Sequence, residues 1–227
     1  MKSIVQNLQC LYEQIHGAEQ KYGRKSDSVT LLAVSKTHPA EKIRITVDYG
    51  QRHFGESYLQ EALGKIREID DSRLIWHFIG PIQSNKARGI AENFSWVHSV
   101  DRLKIARRLN EMRPLLLPPL NICIQINISR EATKSGIFPE QLAAMAEQVS
   151  TLPRLRLRGL MAMPEETGDF TAQRHAFQRM RQLFEELQRA GFNLDTLSMG
   201  TSHDMEAAIA EGATIVRIGT AIFGTRE

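Results

Sequence analysis

No stretch of this 227-residue chain approaches the roughly 20 apolar residues of a membrane-spanning helix, so no membrane span is expected. The opening residues, Met1-Lys2-Ser3-Ile4-Val5-Gln6-Asn7-Leu8-Gln9-Cys10, are interrupted by polar side chains and lack the apolar centre of a signal peptide. Cysteine is scarce. Cys10 and Cys123 have no metal-ligand spacing, and Cys123 lies in an apolar run where a reduced core thiol is expected. Charge of one sign is scarce too, because a net charge of +3 is too mild to argue for a nucleic-acid partner. Arg102, Lys104, Arg107, Arg108 and Arg113 do gather in one helical stretch, but they spread round it among Asp101 and Glu111 and read as solvated surface. No low-complexity segment or Gly/Ser linker divides the chain. These absences lead us to expect a cytoplasmic protein folded as one domain over residues 1–227.

What is present is alternation. Hydrophobic residues make up 42% of the chain and charged residues 24%, a balance fit for one globular unit of this length. Ile4, Leu8, Leu11 and Ile15 mark one face of an N-terminal helix. Strands are then expected at 29–35, 52–54, 74–80, 96–100, 121–128, 156–163, 196–200 and 215–218. Helices are expected near 39–49, 57–68, 84–93, 101–112, 139–150, 171–190 and 204–211. Eight strands alternating with helices over short connections predict a parallel (β/α)8 barrel of the TIM type. An open doubly wound sheet is disfavoured because no Gly-x-Gly-x-x-Gly follows any expected strand. The helix after Phe223 is missing or very short, so the N-terminal helix should cover that flank.

The chemistry gathers at the barrel's two ends in sequence. The run Val29-Thr30-Leu31-Leu32-Ala33-Val34-Ser35-Lys36 puts Leu32, Val34 and Lys36 on one face, leaving an amine where the first strand exits the interior. Desolvation there favours the neutral amine that Schiff-base chemistry requires. Gly200-Thr201-Ser202 leads toward a helix with Ser202 as its N-cap, and Gly219-Thr220 follows the eighth strand. Two such turns side by side form a cup of N–H donors for a phosphate, where barrels of this kind often hold one. A closed barrel makes strands one and eight neighbours, so Lys36 and both loops converge on one mouth. An amine beside a phosphate cup fits a ligand carrying both aldehyde and phosphate: pyridoxal phosphate first, with phosphosugars in competition. Arg217 shares a face with Gly219. It either pairs with a carboxylate or carbonyls deeper in the barrel, or donates to a pyridine nitrogen and disfavours its protonation.

Seven stretches carry a family resemblance: Leu-Leu-Ala-Val-Ser-Lys-Thr at 31–37, Phe-Gly-Glu at 54–56, Trp-His-Phe-Ile-Gly-Pro-Ile-Gln-Ser-Asn-Lys at 76–86, Gln-Ile-Asn-Ile-Ser at 125–129, Lys-Ser-Gly at 134–136, Arg-Gly-Leu-Met-Ala-Met-Pro at 158–164 and Val-Arg-Ile-Gly-Thr-Ala-Ile-Phe-Gly at 216–224. On these the chain resembles the pyridoxal phosphate homeostasis proteins of the YggS/PROSC type, related to the N-terminal barrel of alanine racemases. The resemblance implies that Lys36 carries pyridoxal 5'-phosphate as an internal aldimine and that Arg217 faces the ring nitrogen. It also implies that Ser202, Gly219 and Thr220, with backbone near Gly200 and Thr201, hold the phosphate. Ser57 and His203 depart from residues common in the family at their positions. His77 reads as a hydrogen-bonded structural histidine. The implied function is to hold, buffer or deliver the cofactor, with pyridoxal phosphate-requiring apoenzymes as recipients and little turnover. A racemase is the alternative; it needs a second acid/base, supplied in alanine racemases by a tyrosine of a further β domain. With the chain ending at Glu227 that domain is expected to be absent, and a monomer is expected. Tyr12, Tyr22, Tyr49 and Tyr58 fall in expected helices or at their edges and offer no obvious substitute. No metal is implied.

Overall fold

Strands buried on both faces need a layer on each side, and closing the sheet into a ring supplies both. The computed structural model describes residues 3–131 and 133–225; the ends of the expected 1–227 domain, Glu227 included, lie outside them. Its strands are β1 (Thr30–Val34), β2 (His53–Glu56), β3 (Ile75–Phe78), β4 (Trp96–Val100), β5 (Leu120–Ile126), β6 (Leu155–Ala162), β7 (Thr196–Ser198) and β8 (Ile215–Ile218). They pair in chain order as a closed barrel. The closing pair is parallel, with Thr30 opposite Ile215, Leu32 opposite Arg217 and Ala33 opposite Ile218. The expected barrel is therefore present and the open sheet is excluded.

The helices are α1 (Ile4–Lys21), α2 (Ala40–Asp48), α3 (Leu59–Ile69), α4 (Ala87–Asn93), α5 (Leu103–Met112), α6 (Leu142–Ser150), α7 (Phe170–Arg189), α8 (Met205–Ala210) and α9 (Thr220–Phe223). A reciprocal cap starts α1: Ser3 Oγ accepts from the Gln6 amide and Gln6 Oε1 accepts from the Ser3 amide. Leu8, Leu11 and Ile15 are buried as their spacing demands. The single turn of α9 covers little, and α1 fills the flank, with Asn7 Nδ2 donating to the Ile222 carbonyl at 3.0 Å. No described helix is long and apolar enough to cross a membrane.

One member of the basic cluster is not surface. Arg113 is buried and donates to the carbonyls of Ala91, Phe94 and Pro118, satisfying the end of α4 that would otherwise lack partners. Arg102, Lys104, Arg107 and Arg108 are exposed, as expected.

The two faces of the strands differ in chemistry. Leu31, Ala33, Phe54, Trp76, Val97 and Ile218 pack outward into one apolar layer under the helices. Fully buried aromatics such as Phe54 and Phe78 contribute most to it, at about 1.5–3 kcal/mol each. The inner face is polar: His98 on β4 bonds Ser198 on β7, strands that are not neighbours, so this bond crosses the barrel interior. Cys123 is fully buried as expected, and burial pushes its thiol up to about 12.

Candidate functional site

The C-terminal ends of the strands open on a cavity of about 340 Å³, lined by Glu131, Lys134, Ala162, Met163, Pro164, Glu165, Glu166, Gly200, Thr201, Asp204 and Arg217. Arg217 anchors it. Its Nη1 donates to the Ser198 carbonyl at 2.5 Å and to Ser198 Oγ at 2.8 Å, and its Nη2 donates to the Ala162 carbonyl at 2.8 Å. The side chain is only 5% exposed, and burial lowers its pKa to about 10. Carbonyls hold the guanidinium, as the first of the two alternatives for this residue expects, and the side chain also lines the cavity.

Lys36 lies half-buried in the turn after β1, the strand that pairs with Arg217's own, and is not among the residues that line the cavity. The turn that carries it is strained, because Thr37 is β-branched yet sits at φ 67°. Its amide donates to Glu61 Oε1 at 2.6 Å, and its hydroxyl donates back to the Lys36 carbonyl. Beneath the turn is a buried ionic cluster. Lys65 Nζ donates to the Ser35 carbonyl at 2.7 Å, to Glu56 Oε1 at 2.8 Å and to Glu61 Oε1 at 2.5 Å. Ser35 Oγ completes it by donating to Glu56 Oε1. Burial outweighs the nearby ammonium and holds the Glu56 carboxyl above its ordinary range. The Glu of the Phe-Gly-Glu motif therefore fixes the lysine loop from behind.

The two glycine loops flank this strand pair. Gly219 lies against β1, where a Cβ would come within 3.1 Å of the Val34 carbonyl. Gly200 sits at φ +96°, and a Cβ there would meet Ala208 Cβ at 2.6 Å, so only glycine fits both the turn and the helix behind it. Its carbonyl accepts from the Arg217 amide, tying the loops together. The expected capping of α8 needs correction. The helix begins at Met205, Asp204 holds the cap position without a side-chain cap, and Ser202 lies exposed in the preceding turn. Asp204 Oδ1 instead takes both the amide and the hydroxyl of Thr201. A carboxylate is the stronger acceptor, so it turns inward to the loop. The amides of Ser202 and His203 make no hydrogen bond among the described residues. Thr220, as the first residue of α9, has an N–H with no partner inside the helix.

Ser202→Ala should weaken binding of an aldehyde ligand with a phosphate about ten- to hundredfold, the worth of one charge-assisted hydrogen bond. The phosphate-free ligand should bind almost unchanged, as titrations of pyridoxal phosphate and pyridoxal would show. Equal losses for both would place the phosphate away from this loop.

Several mouth residues escaped the sequence reading: Glu131, Glu165 and Glu166 come from loops whose sequences carry no periodic signal, and Asp204, expected at the start of a helix, lines the cavity instead. Lys134 stands in the same cavity, with its Nζ donating to the Pro164 carbonyl and paired with Glu131 at 2.7 Å. His77 is structural as expected, fully buried between His53 at 3.0 Å and His98 at 2.9 Å. Ser57 packs its backbone against Gly80, where a Cβ would overlap the Ser57 carbonyl. His203 is exposed, in the turn before α8. No group of three or more His, Cys, Asp or Glu among the described residues could hold a metal ion.

A closed parallel barrel with a lysine after its first strand and an arginine on its eighth defines the class: the alanine racemase N-terminal domain family matches residues 7–227. The alanine racemase of Corynebacterium glutamicum shares this fold at a TM-score of 0.71, although it is 16% identical and this chain covers 60% of its length. Much nearer is a protein of Pseudomonas aeruginosa named pyridoxal phosphate homeostasis protein, 60% identical over all of this chain and 97% of its own length. A protein of the same name from Escherichia coli K12 is 52% identical over all of this chain and 98% of its own. PipY of Synechococcus elongatus, solved with pyridoxal phosphate bound, is 38% identical with a TM-score of 0.86, covering 98% of this chain and all of that one. The chain belongs to the pyridoxal phosphate homeostasis protein family.

Proposed function

We propose that this protein binds pyridoxal 5'-phosphate in the barrel mouth, holds it through a reversible Schiff base on Lys36, and so keeps, buffers or delivers the cofactor in the cell. The observation that carries this reading is the fixed guanidinium of Arg217 in a cavity lined by Gly200 and Thr201, on the strand that pairs with β1, which Lys36 follows. The cavity volume lies in the range that accepts a small cofactor. Both loops have lost the Cβ that would crowd their backbones. The relative solved with pyridoxal phosphate bound supports the choice of ligand over a phosphosugar.

In this reading each residue has a distinct task. Lys36 supplies the amine, on a turn held rigid by Glu61 and Lys65. The loop at Gly200, Thr201 and Ser202 and the loop at Gly219 and Thr220 orient the phosphate through donors such as the Ser202 amide and hydroxyl and the Thr220 amide, since Asp204 takes the N–H and hydroxyl of Thr201. Arg217 presents a permanent cation to the ring nitrogen and disfavours a proton there. Bound pyridoxal phosphate supplies an electron sink for carbanions, and an unprotonated ring weakens that sink. We therefore assign a non-catalytic role and favour it over a racemase. A racemase also needs a second acid/base, whereas Tyr12 donates to Gln51 and Tyr22 to Glu206, well occupied on the α1 side. The proposal includes a monomeric state and hand-over to apoenzymes that require the cofactor.

The test is spectroscopic. The protein loaded with pyridoxal phosphate should absorb in the visible, lose that band on borohydride, and exchange the α-proton of added alanine in deuterated water no faster than free cofactor. Rapid exchange would favour the racemase; no visible band would remove the cofactor assignment.

A further inference from the structure

A line of polar side chains runs through the barrel beneath the cavity. His53 Nδ1 lies 3.0 Å from His77 Nε2, and His77 Nδ1 lies 2.9 Å from His98 Nε2. His98 Nδ1 lies 2.7 Å from Ser198 Oγ, which accepts from Arg217 Nη1 at 2.8 Å. His77 and His98 are fully buried, while His53 on β2 is half-buried at the barrel's other end. Each imidazole contacts the next through one nitrogen of each kind, so the chain has just two self-consistent polarities when neutral.

Arg217 selects between them. A guanidinium has no acceptor, so Ser198 Oγ must accept from it. The serine hydroxyl proton then needs an acceptor, and His98 Nδ1 is the one within reach. His98 must therefore carry its proton on Nε2, which donates to His77 Nδ1, and His77 donates through Nε2 to His53 Nδ1. In the opposite polarity Ser198 Oγ would receive two donors and its own proton would point at none, a costly arrangement for a buried hydroxyl. Protonating His98 would produce the same conflict and put a second cation beside Arg217.

We infer that His98, with His77 and His53 behind it, is a positioning residue for Arg217: the three imidazoles, all neutral with the proton on Nε2, hold Ser198 as a pure acceptor for the guanidinium. The consequence is directional. Of five guanidinium N–H groups, the three bonds to Ser198 and Ala162 fix Nη1 and one Nη2 proton. The Nε–H and the second Nη2–H make no hydrogen bond among the described residues, and Arg217 lines the cavity. The chain sets how Arg217 meets the ring nitrogen, and the inference rests on the reading that it does so.

The test uses the full-length protein and two ligands, pyridoxal phosphate and its 1-deaza analogue, whose ring has C–H in place of nitrogen. Wild type should prefer pyridoxal phosphate by about ten- to hundredfold, the worth of a charge-assisted hydrogen bond. Ser198→Ala and His98→Leu should erase most of that preference. His98→Gln should restore it, since one amide group both accepts and donates. A residue that merely filled space would lower both affinities alike and leave the ratio untouched. A ratio unchanged in Ser198→Ala and His98→Leu overturns the inference while leaving the site reading intact. A wild-type protein with no preference overturns the site reading itself, and the inference with it. Should His98→Leu fail to fold, nitrogen-15 NMR of histidine-labelled wild type decides alone. It should find Nδ1 unprotonated and Nε2 protonated on all three buried-chain histidines, and a proton on His98 Nδ1 would contradict the inference.

Discussion

Acidification from pH 6.5 toward pH 4 will destabilise this barrel steeply. Burial lowers the His98 pKa to about 3, and burial with the neighbouring histidines holds His77 well below its ordinary value. The sign follows from linkage. In the unfolded chain these side chains titrate near 6.5, so below that pH the unfolded state binds protons that the folded state refuses. The stability they contribute is complete above about pH 6.5 and is lost as pH falls toward about 3. Each contributes a slope of about 1 kcal/mol per pH unit. Slopes of this kind acting over a few pH units remove several kcal/mol, a large share of a typical domain stability of about 5–15 kcal/mol. Glu56 works in the opposite direction, because its raised carboxyl takes up a proton in the folded state first, but it is one group against the histidine pair. Urea denaturation at pH 7.5, 6 and 5 should show a falling midpoint, with the fall reduced in His98→Gln. A midpoint independent of pH across that range would mean that the histidines are solvated in the native state.

Lys65→Met should cost about 3–5 kcal/mol of stability, because it strands the buried Glu56 carboxylate and leaves the Ser35 carbonyl without its ammonium donor. The same change removes the support beneath the strained Thr37 turn, so affinity for pyridoxal phosphate should fall with stability. Glu56→Gln added to Lys65→Met should recover much of the stability, since the uncompensated charge is then gone. Equilibrium unfolding of the single and double variants checks this. A loss below about 1 kcal/mol for Lys65→Met, the range of an exposed ion pair, would show that the cluster is solvated.

The sequence made the scaffold and the two ends of the site legible because both rest on local pattern. Leu32 and Val34 share one face by strand alternation and the lysine lies in the turn just beyond them, and Gly200 and Gly219 mark turns where the backbone comes close to a neighbour. Closure of β1 on β8 then follows from topology. The middle of the barrel was not legible. His53, His77 and His98 are 24 and 21 residues apart, and no local period connects residues that meet only because three adjacent strands align their inner faces. A sharper reading of β4 was available: Trp96 and His98 alternate with Val97, and Val97 belongs to the outer layer. Ser202 and Asp204 show the limit at the loops. Both can cap a helix, and the choice of Asp204 to hold Thr201 depends on a turn geometry that composition does not specify. Arg113 was read with its exposed neighbours because a helix wheel ends where its helix does, one residue before it.

The central claim is that Lys36 is the amine which holds the cofactor. The most direct measurement is borohydride reduction of the protein loaded with one equivalent of pyridoxal phosphate, followed by peptide mass spectrometry. Lys134 is the internal competitor, since it lines the cavity of Arg217, where Glu131 and the Pro164 carbonyl hold it. The account predicts the added pyridoxyl group on Lys36, absent after Lys36→Ala; a pyridoxyl group found chiefly on Lys134, or undiminished in the variant, would contradict it.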